Sequence, residues 1–132
     1  MVDDLEILDE LYDKFCADEE LMELLGNPKT PKEKNERIHR TITPLDYATK
    51  DKVNFIVMHF SSATITHNLW VARGYLHIEY YTKSREDLKN IRRIVKRILE
   101  EEHLLAVSWY NVSSNVKGII RYKDIFRPLC WA

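Results

Sequence analysis

The sequence predicts an α+β fold with an N-terminal helix and an antiparallel sheet of about four to five strands packed against one long helix. Three observations favour it. Apolar residues recur at helical spacing near residues 5–15 and 88–99, the period changes to two after residue 53, and polar turn residues separate the short apolar runs. Helices and strands in this mixed order are typical of one sheet covered by helices. A chain of 132 residues fits a single domain over residues 1–132.

The first element is predicted to be helical, because Leu5, Leu8 and Phe15 recur at helical spacing behind aspartates that can cap the N-terminus. Asp18 offers a second N-cap, and Gly26 suits the left-handed position that follows a helix. The segment is therefore either one bent helix or two short ones.

Residues 27–52 are predicted to form a long, mostly irregular and mobile loop. Prolines at positions 28, 31 and 44 interrupt the segment, and a short strand is expected only around residues 37–42. Loops of this length are usually functional or mobile, so the segment is a candidate for binding a partner.

Four strands are expected after the loop. Residues 54–60 are nearly all apolar, as in a central strand, and residues 69–81 alternate, with Gly74 marking a bulge or bend. Residues 105–110 and 117–122 follow the long helix as two more strands joined by a polar turn. Residues 124–132 are predicted to be a short extended tail rich in large apolar groups.

The long helix is predicted from Ser84 to about His103. Ser84 and Asp87 have the spacing of a capping box, with Asp in place of Glu or Gln. Six apolar residues form one stripe for the core: Leu88, Ile91, Ile94, Val95, Ile98 and Leu99. The outer face is basic and carries Arg85, Lys89, Arg92, Arg93 and Lys96.

Composition excludes several classes of protein. Apolar residues make up 45% and charged residues 31%, a mixture that can bury a core, which argues against a disordered chain. No apolar run approaches the roughly 20 residues of a membrane span, and the acidic start is unlike a signal peptide, so a soluble protein that is not exported by that route is expected. Cys16 and Cys130 lack CxxC spacing and are interpreted as packing residues in a reducing compartment.

No motif for catalysis, cofactor binding or metal binding is found in the sequence. The chain has neither a GxSxG elbow nor a glycine-rich phosphate loop, and its paired acids lie next to each other on predicted helices, where they diverge. His59 and His77 could face each other across paired strands, but no HxH or HExxH spacing supports a metal site. No catalytic residue, cofactor or small-molecule substrate is expected, although a site assembled from distant residues stays an alternative.

The net charge of −1 conceals an uneven distribution. Residues 1–25 carry ten acids and one base, residues 26–52 carry seven bases and four acids, and residues 53–132 carry twelve bases and seven acids. Such segregation predicts a dipolar subunit whose acidic and basic faces meet in an assembly. The alternative is an ordinary solvated acidic helix.

Nucleic-acid binding is the second functional hypothesis. The basic stripe of the long helix could contact phosphates, and strand aromatics could stack bases, although no RNP-type sequence is present. These aromatics are Tyr75, Tyr80, Tyr81, Trp109, Tyr110 and Tyr122. This hypothesis describes a small monomeric α+β module.

Four segments together resemble the tail-terminator, or tail-completion, proteins of long-tailed bacteriophages. They are Asp18-x-x-Leu21-x-x-Leu24-Leu25-Gly26, the strand Phe55–Phe60, the strand-to-helix unit Tyr75–Leu88, and the closing strand Gly118–Phe126. The resemblance implies a non-enzymatic structural protein that forms a ring, typically hexameric, at the head-proximal end of the tail tube. It also implies tail-tube and head-connector partners, DNA passing through non-specifically, and a place at the head–tail interface of the virion after assembly in the host cytoplasm.

Charge and apolar character predict which residues contact a neighbouring subunit or partner. These are Asp9, Glu10, Asp13, Lys29, Lys32, Lys34, Arg85, Lys89, Arg92, Arg93, Lys96, Phe126 and Trp131. The acidic first helix is expected to meet the basic surface of the next copy. For Phe126 and Trp131, packing on the chain's own core is an equal alternative. No membrane partner is expected.

Overall fold

The computed structural model describes residues 4–40, 54–60, 75–112 and 117–128. These residues form four helices and five strands and confirm the α+β prediction. In chain order the elements are α1 Asp4–Ala17, α2 Glu19–Leu24, α3 Pro31–Arg37, β1 Ile38–His39, β2 Phe55–Phe60, β3 Leu76–Thr82, α4 Arg85–Glu101, β4 Leu104–Val112 and β5 Ile120–Pro128. No helix in the described part of the chain is long and apolar enough to cross a bilayer.

The five strands form one sheet in the order β1-β2-β3-β5-β4. The predicted antiparallel arrangement holds for β2–β3, β3–β5 and β4–β5, but it is wrong for β1, which pairs parallel to β2. A parallel pair needs a connection of about a dozen residues or more, and the stretch between His39 and Phe55 is long enough to supply it.

The first helical segment is two helices. Asp18 ends α1 and caps α2, where its carboxylate accepts a hydrogen bond from the Leu21 amide at 2.9 Å. Gly26 follows α2 with φ +88°, the left-handed conformation that its sequence position predicts.

The first half of the predicted loop contains a helix, which corrects the expectation that residues 27–40 are mostly irregular. The helix α3 begins there because Thr30 caps it, accepting from the Glu33 amide at 3.2 Å, while Pro31 occupies the first turn. The Glu33 carboxylate accepts in return from the Lys29 amide at 2.9 Å. The short strand expected around residues 37–42 is confirmed as β1, and residues 41–52 lie outside the described part.

The main core lies between the sheet and the helices α1, α2 and α4. Ser84 caps α4 by accepting from the Asp87 amide at 3.1 Å, and the whole predicted apolar stripe of α4 is buried. Phe15 anchors α1 in the same core, and Ile56 and Ile78 face it from the sheet. The strand prediction near residues 54–60 is confirmed by β2.

The strand β5 is longer than predicted and lies inside the sheet. It pairs with β3 on one side and with β4 on the other, so Asp124–Pro128 belong to this strand and only residues 129–132 of the predicted tail lie outside the described part. Asp124 and Phe126 are fully buried in this position, so a segment that looked peripheral in the sequence contributes to the centre of the fold. The bulge predicted at Gly74 also lies outside the described residues, whereas an irregularity in register occurs between Ala106 and Ser108.

Candidate functional site

A buried ion pair joins α4 to the centre of the sheet. Asp124 is fully buried, and its two carboxylate oxygens accept from the Arg92 guanidinium at 3.0 and 2.8 Å. The Tyr80 hydroxyl donates to the same carboxylate at 2.7 Å. Burial, and then the neighbouring carboxylate, raise the pKa of Tyr80 well above its usual value, so the hydroxyl stays a donor. Arg92 also lies over the Tyr122 ring, 4.4 Å from its centre.

Arg92, predicted as a contact residue for a partner, is therefore bound within its own chain. Its Nε and one Nη donate to the two oxygens of Asp124, and its side chain is 22% exposed. Reversing its charge would disturb the core before it disturbed any assembly.

A cleft of about 520 Å³ opens beside this ion pair, between the first half of α4 and the strands β4 and β5. No acidic residue of the described part of the chain lines it; the lining residues there are Arg85, Leu88, Lys89, Arg92, Asn111, Ile120 and Tyr122. Arg85 and Lys89 are exposed, and neither forms an ion pair with any residue that the structure describes. The structure thus brings three of the five predicted basic positions of α4 together around one concave surface.

Three other charges of the predicted interface have neighbours within the chain. Arg93 pairs with Glu20 at 2.6 Å, and Asp9 pairs with Arg40 at 2.6 Å. Lys96 lies over the Trp109 ring at 5.3 Å. The acidic and basic segments are separate in sequence but adjacent in space, so the predicted dipolar subunit is partly neutralised by its own fold.

The remaining predicted interface residues divide by exposure. Glu10, Asp13, Lys29 and Lys32 are exposed, and Lys34 is half-buried. Phe126 is fully buried in the main core, which corrects its predicted contact with a neighbour. It belongs to the core between the sheet and the helices, where a partner has no access to it, while Trp131 lies outside the described residues.

The strand β4 forms an exposed apolar edge that sequence reasoning missed. Leu105, Val107, Trp109 and Tyr110 are each between 45% and 54% exposed, and they are four of the five exposed large apolar side chains in the described part of the chain. No described strand pairs with the outer edge of β4. The nine-residue run Leu104–Val112 contains no charged residue, and this feature of the sequence could have indicated an unprotected edge strand.

Four of the six strand aromatics of the second hypothesis are buried or partly covered. Tyr80 and Tyr81 are buried, and as neighbours in β3 they point to opposite faces of the sheet. Tyr122 and Trp109 lie on the α4 side, where Arg92 and Lys96 cover part of their rings. The other two aromatics are exposed, and base stacking stays a prediction.

A polar cluster occupies the sheet face opposite α4. His59 and His77 are paired in register, as the sequence suggested, and their rings stack with centres 4.8 Å apart. Both Nδ1 atoms are buried without a hydrogen-bond partner. Beside them Glu79 accepts from Arg121 at 3.1 Å, and the Lys123 ammonium lies 3.9 Å from the Glu79 carboxylate.

This cluster does not supply a metal site. Nowhere in residues 4–40, 54–60, 75–112 or 117–128 do three His, Cys, Asp or Glu side chains converge as metal ligands. Glu79 is already bound by Arg121 and by the Tyr81 hydroxyl, which donates to it at 3.0 Å. The two imidazoles are left with a cation, Lys123, as a neighbour.

The histidine stack should make the fold sensitive to acid. Burial, with Lys123 nearby, lowers the pKa of His77 to about 4, and burial also lowers the pKa of His59. In the unfolded chain a histidine titrates near pH 6.5, so between about pH 6.5 and pH 4 the unfolded state binds more protons. The free energy of unfolding is therefore expected to fall as the pH drops through this window. Urea unfolding at several pH values measures it, and a His77→Gln variant with the slope of the wild type would contradict the assignment.

No protein-family model matches the chain, and no curated protein matches its sequence significantly.

Proposed function

We propose that this chain is a non-enzymatic phage structural protein of the tail-terminator, tail-completion or head–tail joining type. It assembles with copies of itself into a ring, hexameric as in the family it resembles, at the head-proximal end of the tail tube. Its partners are then the tail tube and the head connector, and its place is the head–tail interface of the virion. The observation that carries the self-association is the exposed, uncharged edge of β4.

Edge strands are normally protected, because their unpaired amide and carbonyl groups invite pairing with another chain. Lysine, proline, inward charges and short strands are the usual protections, and the nine residues of β4 offer a register irregularity but no charge. Four half-exposed apolar side chains lie along this edge. Such a patch marks a surface that another protein covers.

The β4 edge provides the centre of a contact rather than all of it. Completing the burial of one half-exposed side chain of this size contributes about 1 kcal/mol, whereas association costs about 4 kcal/mol or more. A stable contact also buries about 800 Å² on each partner, more than one strand edge offers. We therefore extend the contact onto the α4 side of β4, where Lys96 lies over Trp109.

A ring needs two different faces on each subunit, because pairing β4 with β4 of a second copy closes at a dimer. The second face must lie elsewhere. The exposed charges Glu10, Asp13, Lys29 and Lys32, on α1, on α3 and in the connection before α3, are its candidates, since the structure pairs none of them within the described residues.

Sedimentation velocity of the purified chain tests the proposal. We expect a species several times heavier than the 15.7 kDa monomer, and a Val107→Lys variant should shift it to monomer, because an edge lysine opposes strand pairing. Val107 is 46% exposed, so the substitution leaves the core intact.

The matched control is Glu101→Gln, which makes the same change in net charge at the exposed end of α4 and should leave the mass unchanged. A monomer at all concentrations and salt strengths, with or without added tail tubes, would contradict the proposal. A monomer that binds short oligonucleotides tightly would favour the nucleic-acid-binding module instead.

A further inference from the structure

We infer that the cleft between α4 and the strands β4 and β5 binds a phosphate ester with an aromatic or apolar body, of which a nucleotide unit is the simplest. The phosphate lies between Arg85 and Lys89, and the organic part lies against Leu88, Ile120 and Tyr122. This site is separate from the proposed contact of β4 and does not depend on it.

The pairing of the α4 cations indicates the site. Arg92, Arg93 and Arg97 each form an ion pair with a carboxylate of the chain, and Lys96 lies over an aromatic ring. Arg85 and Lys89 form no such contact in the described part of the chain, and both line the cleft. They are four residues apart on one helix, so their side chains are neighbours. The two cations without a counter-ion therefore share one concave surface.

Two cations at one point favour a phosphate over a carboxylate. A phosphate monoester carries about −1.5 to −2 charges near neutral pH, and a carboxylate carries only one. Arginine presents a planar fork of donors that matches phosphate oxygens, and lysine adds a point charge. No acid among the described residues lines the cleft to compete with such a ligand.

The shape of the cleft favours an organic phosphate over the free ion. Its volume of about 520 Å³ falls in the range of sites for small organic ligands and far exceeds the space of one phosphate group. Leu88 and Ile120 provide apolar walls, and the Asn111 amide can pair with a polar ring edge. Arg92 holds the Tyr122 ring in place through its own bonds to Asp124, so this wall is rigid before a ligand arrives.

Calorimetric titration of the full chain tests the inference with four probes: adenosine monophosphate, adenosine, inorganic phosphate and a short oligodeoxythymidine. We expect the monophosphate to bind more tightly than adenosine or inorganic phosphate, because only it fills both parts of the cleft. Tighter binding of the oligonucleotide than of the monophosphate would identify a nucleic-acid strand as the source of the ester, and the reverse would identify a free nucleotide. Either order supports the site.

The variant Arg85→Gln/Lys89→Gln should weaken binding by about tenfold or more, since each lost charged contact is worth about that factor. The control Lys29→Gln/Lys32→Gln removes the same charge from exposed positions outside the cleft and should bind as the wild type does. Glutamine keeps the helix propensity of α4, so folding is preserved.

Three results would overturn the inference. They are an equal loss in the control pair, equal affinity for adenosine and its monophosphate, and no measurable binding of any probe. Sedimentation of the same samples measures the mass of the assembly, so a failure of ligand binding can be distinguished from a failure of ring formation. If the cleft variant changes the mass of the assembly and no probe binds, the cleft is a protein contact and the inference is wrong.

Discussion

An Arg92→Met variant is expected to lose about 3–5 kcal/mol of the free energy of unfolding, the largest effect of any single charge removed from this chain. The reason is the position of Asp124, which is fully buried and has both of its carboxylate oxygens bound by the Arg92 guanidinium. Methionine fills much of the arginine volume but leaves that carboxylate without a cation. Urea unfolding followed by circular dichroism measures the loss.

Arg93 provides the matched control, because it is the next residue on α4 and also forms an ion pair. Its partner Glu20 is exposed, and both side chains are more than half accessible to solvent, so Arg93→Met should cost less than about 1 kcal/mol. A double variant Arg92→Met/Asp124→Asn should recover part of the loss, because asparagine removes the buried charge and keeps an acceptor for the Tyr80 hydroxyl. Equal losses at Arg92 and Arg93 would show that the Asp124 ion pair is not the reason.

Apolar periodicity predicted the elements that bury one face. The stripe of α4 from Leu88 to Leu99 and the strand β2 are confirmed. These predictions succeeded because helix and strand periods depend on the local sequence alone. The parallel pairing of β1 escaped prediction because register between distant strands depends on the whole sheet.

The cap of α3 could have been found in the sequence. Thr30 and Glu33 have the spacing of a capping box, and Pro31 stands at the first helical position, where proline is favoured. The prolines near it were instead interpreted as signs of irregular chain. A proline breaks a helix in its interior but suits its first turn. Pro31 lies in the first turn of α3, so it was wrong to interpret it as a sign of irregular chain.

Part of the predicted charge segregation is cancelled by ion pairs between distant residues. Arg93 and Glu20 are 73 residues apart, and Arg97 and Asp18 are 79 apart, yet both pairs form because α1 and α2 pack against α4. Charge counted along the sequence cannot show which charges the fold brings together. Only the structure shows that Arg85 and Lys89 of α4 lack a partner among the described residues, because it pairs the other cations of this helix with carboxylates or with an aromatic ring.

The β4 edge and the cleft are neighbours on the α4 side of β4, but the proposed partner of the edge is a second subunit and that of the cleft is a phosphate ester. Trp109 projects on the α4 side of β4, and Asn111, two residues further along, lines the cleft. A subunit that covered Trp109 would therefore border the cleft without needing to fill it. Ligand binding and assembly can thus be measured on the same sample as separate properties.

Replacing Asn54 by alanine is expected to lower the free energy of unfolding by about 2–4 kcal/mol, a large effect for a residue that precedes a strand. Asn54 is 5% exposed, and its amide donates to the Leu24 carbonyl at 2.9 Å and to the Asp87 carboxylate at 3.1 Å. Its side-chain oxygen accepts from the Lys83 amide at 3.0 Å. One side chain thus ties the end of α2, the start of α4 and the turn that precedes α4.

Alanine would leave the Leu24 carbonyl and the Lys83 amide without a partner in a region with little access to water, and each such group costs about 1–3 kcal/mol. Asn35→Ala is the matched control, because Asn35 is exposed on α3 and should change stability by less than about 0.5 kcal/mol. Asn54→Asp separates the two roles, since it keeps the acceptor for Lys83 but sets a second carboxylate against Asp87. We expect it to be at least as damaging as alanine at neutral pH, and milder damage would mean that the acceptor, rather than the amide donor, holds these elements together.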